Sequence, residues 1–155
     1  MTSYRKSADA LRFAIAAGYR SVADAVTWAD QIIAADPAPP GEIIDVALGE
    51  RLDRSRIAEL LMAVPGESRP VEVAREVLRQ LHDELNEDRL TADAIATLVY
   101  NMAALGYLPE GEFGFEPWAL SDSFELAMTG IYGTYEDARA RLASYLAEHA
   151  ARPPA

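Results

Sequence analysis

The chain has no cysteine in its 155 residues. That removes a disulfide scaffold, a thiolate zinc site and a cysteine nucleophile together, and it fits a reducing compartment. Lysine is almost as scarce: Lys6 stands alone, and the other thirteen of the fourteen basic residues are Arg. No G-x-x-x-x-G-K-[ST] phosphate loop is present, and Gly111–Gly114 does not spell a dinucleotide loop. The only histidines are His82 and His149. There is no His-Glu-x-x-His, and two imidazoles without thiolates are too few for a zinc site. A di-iron bundle places Glu three residues before each His, but those positions hold Arg79 and Leu146. No serine sits in a nucleophile elbow. The run DELNED at 83–88 lacks the ligand order and central glycine of a calcium loop. Neither a cofactor nor a metal is expected, and no catalytic residue is assigned.

Long apolar runs are also missing. The longest uncharged stretch, Ala94–Pro109, is shorter than the roughly 20 apolar residues of a membrane span, and Thr97, Asn101 and Gly106 interrupt it. Asp9 and Arg12 break any leader-like apolar run near the start. A cytoplasmic protein without a membrane partner is expected.

What is present is a chain of domain size, half apolar and a quarter charged, with a net charge of −11. One helical domain over 1–155 is expected, with 152–155 a frayed tail. The charge repels nucleic acid phosphates and steers the protein toward basic protein partners. The oligomeric state is left open.

Helical periods fill most of the chain. Ala8–Ala17 reads as a first helix, with Ser7 as its cap and Gly18-Tyr19 as its stop. Ser21 and Asp24 form a capping-box pattern opening a second helix, which Asp36-Pro37 ends. Pro40 reads as the first position of a short third helix. Asp53 caps a fourth, carrying Ile57, Leu60, Leu61 and Val64. Ser68 and Pro70 open the longest and most regular helix, to about Asn86, whose acidic end opposes the helix dipole. Thr91 caps a helix stopped by Gly106-Tyr107, a short helix follows from Ser121 or Asp122, and Thr134 starts the last. The fold class is all-α: a compact irregular bundle of about seven to eight short helices joined by Gly and Pro turns.

The stretch 106–137 differs. It has the longest segment without a helical period and holds seven of the thirteen aromatics. Within 110–125, Glu110, Glu112, Glu116, Asp122 and Glu125 alternate with Phe113, Phe115 and Trp118. Aromatics supply contact area and carboxylates orient a basic partner, so these eight are the candidate partner-binding residues. The competing reading makes the aromatics a plug for the helical core.

Three blocks carry a resemblance: W-A-D at 28–30 with P-A-P-P-G-E-I-I at 37–44, G-Y-L-P at 106–109, and D-S-F-E-L-A-M-T-G-I-Y-G-T at 122–134. Together the chain resembles small all-helical bacterial proteins, some of which look like the immunity proteins that accompany secreted polymorphic toxins. The resemblance implies an all-helical fold and toxin neutralisation by occlusion. It transfers no binding residue.

The expected function is therefore a non-enzymatic, acidic protein-binding domain. Two alternatives stand beside it: an adaptor taking a peptide or helix in a groove between its own helices, and a small enzyme using a carboxylate with His82.

Overall fold

Local capping chemistry starts most of the helices. The Ser21 hydroxyl accepts from the Asp24 backbone N–H at 3.2 Å, and the Asp24 carboxylate accepts from the Ser21 N–H at 2.8 Å, completing the capping box. Asp53, Thr91 and Thr134 each accept from the N–H three residues on. The computed structural model describes residues 3–151; the expected tail at 152–155 lies outside them. Among the described residues the chain is all-α, with no strand. The helices are α1 (Arg5–Ala17), α2 (Val22–Ala35), α3 (Gly41–Ala47), α4 (Arg54–Met62), α5 (Pro70–Asn86), α6 (Ala92–Ala104), α7 (Glu110–Phe113), α8 (Glu116–Met128) and α9 (Tyr135–His149). No helix is long and apolar enough to cross a membrane.

Both Gly-Tyr stops are used in the same way. Gly18 (φ 95°) and Gly106 (φ 82°) take the left-handed conformation. Tyr19 N–H then bonds Ala14 O at 2.8 Å, and Tyr107 N–H bonds Met102 O at 2.9 Å, satisfying carbonyls the helix ends would leave bare. Two expectations shift. α1 begins a turn earlier than its apolar stripe, at Arg5, where the i,i+4 Arg5–Asp9 pair ties the added turn to the rest of the helix. Ser7 is therefore not the cap; its hydroxyl donates to Tyr4 O and accepts from Trp28 Nε1. Pro40 stands one place before the first residue of α3.

The chain gathers into two compact units, divided after Val73 in the first turn of α5. In the first, Ala8, Ile15, Ala25, Ala29, Ile43, Val46, Ile57, Leu61 and Val64 form one buried cluster. Asp9 is fully buried. Arg5 Nε donates to it at 2.9 Å, and Arg12 lies 3.6 Å away. Arg5 Nη1 also donates to Met62 O (2.9 Å) and Val64 O (3.2 Å), tying the start of α1 to the end of α4.

In the second unit α8 packs between α6 and α9. The acidic end of α5 is answered by cations from beyond the helix, one tertiary and one local. Arg139 of α9 donates to the Leu85 carbonyl at 3.2 Å, and Arg89 pairs with Glu84 and Glu87. Asp88, at φ 52°, takes the left-handed turn that glycine serves elsewhere.

Candidate interaction surface

The surface begins with an anchor. Pro109 and the short α7 turn bring Phe113 inward, where it is 0% exposed. Its carbonyl accepts the Tyr145 hydroxyl at 3.1 Å. Its ring lies 4.7 Å under the Arg75 guanidinium and 5.9 Å from the His149 ring. Burial first, and then the Glu116 charge, push the Tyr145 hydroxyl well above the usual phenol range. It therefore stays protonated and donates. Phe113 is thus corrected from a partner-contact residue to a core plug: a ring closed in by α5 and α9 side chains has no face left for a partner.

The anchor sets where α8 starts. The expected start at Ser121 or Asp122 is also corrected: the helix begins at Glu116, with Pro117 in its first turn, where a missing N–H does no harm. At 3.6 residues per turn, Pro117, Leu120 and Phe124 fall on one side, and all three are buried. Phe115, Trp118, Asp122, Glu125 and Leu126 fall on the opposite side and are exposed. Phe115 is 69% exposed and Trp118 40%. The Trp118 ring meets Tyr100 of α6 edge-on, at 5.5 Å between centroids, so α6 steadies it while leaving it accessible. Glu110 and Glu112 are exposed on α7, just before this stripe. Beyond α8, Ile131 and Tyr132 are also exposed, at 73% and 77%.

The eight expected residues therefore divide. Phe115, Trp118, Asp122 and Glu125 share one outward face, with Glu110 and Glu112 on the turn that leads into it. Phe113 is core. Glu116 lies on the flank toward α9, in a cleft of about 370 Å³ lined also by Arg141, Ser144, Tyr145 and Glu148. The sequence reading missed Tyr100 and Leu126.

The electrostatics of this face are one-sided. From 90 to 138 the chain contains no Lys, Arg or His, but it holds Asp93, Glu110, Glu112, Glu116, Asp122, Glu125, Glu136 and Asp137. That gap was the available sequence signal. Several carboxylates elsewhere are paired: Asp9 with Arg5, Glu72 with Arg69, Glu76 and Asp83 with Arg79, Glu84 with Arg89. A second, shorter cation-free run at 21–50 carries Asp24, Asp30, Asp36, Glu42, Asp45 and Glu50. Glu110, Glu112, Glu116, Asp122 and Glu125 have no ion-pair partner among the described residues. An apolar stripe beside unpaired carboxylates can bury aromatic area against a partner and neutralise its cations at the rim.

One group could hold a metal ion. Donor atoms of Glu116, Glu148 and His149 lie within 4.8 Å of one another, with the carboxylates exposed and His149 half-buried on Tyr145. His82 is half-buried on α5 and belongs to no such group among the described residues. Comparison of the chain with family models, with curated proteins and with solved structures finds no match.

Proposed function

We propose that the protein is a non-enzymatic binding domain that takes a basic protein on the outward face of α8, with toxin neutralisation of the immunity type as the sharpest form of that activity. The observation that carries this reading is the conjunction on one face of exposed Phe115 and Trp118 with carboxylates, Asp122 and Glu125, that have no ion-pair partner among the described residues. Coulomb attraction from an unpaired acidic rim accelerates encounter with a basic surface, and aromatic burial slows release. Occlusion of a basic active surface needs no chemistry of its own.

The test is differential. Glu110, Glu112 and Glu125 are changed to Lys together, and wild type and variant serve as parallel baits in host lysate and secretions. A basic protein retained by wild type should be lost from the variant, with affinity lower by about tenfold or more and binding weakened by salt. Since all three residues are exposed, the variant should melt with wild type. Equal retention of the same partner by the folded variant would remove this face from the account.

A further inference from the structure

The first unit contains a larger concavity of about 1000 Å³, remote in sequence from α8. It forms where the start of α1, the end of α2, the Pro37–Pro40 connector and the turn after α4 meet. Tyr4, Trp28, Ile32, Pro37 and Val64 give it apolar walls, and among the described residues no lysine or arginine lines it. Prolines are useful wall residues here, because they offer apolar surface without a backbone donor.

One carboxylate stands in that wall. Asp36 ends α2, and its two oxygens are each held by a different donor. The Tyr4 hydroxyl donates to Oδ2 at 2.7 Å and the Ala38 N–H to Oδ1 at 3.0 Å. Tyr4 itself comes from the start of α1, 32 residues away, so the orientation is fixed by tertiary structure. These bonds keep the carboxyl ionised, below the usual carboxylate range. A carboxylate has about four lone-pair sites. Two are filled, one on each oxygen, so each oxygen keeps acceptor capacity. A guanidinium fork can engage both oxygens of one carboxylate at once, which a point-like ammonium does not.

We infer that this groove is a second binding site, which takes an arginine side chain presented on an extended peptide. The guanidinium forks onto Asp36, and the aliphatic stem and flanking residues lie along Trp28, Ile32 and Val64. A volume near the upper end of ordinary ligand sites, about 300–1000 Å³, exceeds what a single side chain fills, so flanking peptide belongs to the occupant. Gln31 on the lining supplies an amide that can meet peptide backbone. The inference is independent of the α8 face: different residues and a different unit carry it.

The probe is a set of immobilised pentapeptide pools, randomised except for a central arginine, lysine or citrulline. Citrulline keeps the shape of arginine and removes its charge. Wild-type protein should be retained on the arginine pool about tenfold over citrulline, with lysine between them, since a charge-assisted fork is worth about that factor. Asp36→Asn should erase the preference. Gln31→Arg, which places a guanidinium in the groove from within, should erase it too, and keeps the test decisive if Asp36→Asn fails to fold. Equal retention on citrulline would make the occupant an apolar peptide and overturn the inference. So would no retention on any pool, or a preference that survives both variants. A preference lost instead in the Glu110, Glu112, Glu125 to Lys variant would place arginine recognition on the α8 face and also overturn it.

Discussion

Phe113 and Phe115 are two residues apart, each between glycine and glutamate neighbours, and replacing either with Ala removes the same atoms. The expected outcomes differ because their surroundings differ. Phe113 is fully buried, with Arg75 over its ring. Phe113→Ala loses transfer free energy and leaves a cavity walled by α5 and α9 side chains, which costs about 3–5 kcal/mol. Against a total stability of about 5–15 kcal/mol for a domain, that is a large fraction. At about 2 kcal/mol per molar urea, the midpoint should fall by about 2 M. Phe115 is 69% exposed, so Phe115→Ala should stay within about 0.5 kcal/mol of wild type. Urea unfolding followed by far-ultraviolet circular dichroism measures both. A loss below about 1 kcal/mol for Phe113→Ala, or equal losses for the two variants, would refute the division of this stretch into plug and face.

Three further outcomes concern Gly49, Gly111 and Asp36. Gly49 is buried where an added Cβ would meet Ile57 Cδ1 at 2.6 Å and Val46 O at 3.1 Å, so Gly49→Ala should cost about 1–3 kcal/mol in thermal melts. Gly111, with nothing within 4 Å, should accept Ala without loss. The Asp36 carboxyl is held below its ordinary range, first by the Tyr4 hydroxyl and then by the Ala38 N–H. The unfolded chain therefore binds that proton more tightly than the folded one. The contribution is present above the ordinary carboxyl pKa and is lost as pH falls through the depressed folded value. Asp36→Asn should flatten that part of the acid limb of stability, read from urea melts between neutral and acid pH; an unchanged acid limb would show that the Tyr4 contact adds nothing.

Elements whose signals are local were legible. Ser21, Asp53, Thr91 and Thr134 cap helices within four residues of themselves, and Gly18 and Gly106 stop helices by backbone conformation alone. The first half of α8 was not legible, because it carries apolar residues on both sides. Pro117, Leu120 and Phe124 face inward while Phe115, Trp118 and Leu126 face outward, so the contrast that marks a period is cancelled. The blurring has the same origin as the candidate surface. Nor could local pattern separate Phe113 from Phe115. The side chains against the former's ring, Arg75 and His149, are remote in sequence. The approach of Glu116 to Glu148 and His149 likewise exists only once α8 and α9 have packed.

The cation-free run has a consequence for enzymatic mapping. A protease that cuts after lysine and arginine finds no site between Arg89 and Arg139. It releases α6, α7 and α8 as one fragment, so any partner cross-linked to the outward face is reported only as attached somewhere in it. A glutamate-specific protease behaves in the opposite way. Its targets in the middle of that fragment include Glu110, Glu112 and Glu125, three of the residues proposed for the interaction, so an occupied face would shield its own cleavage sites.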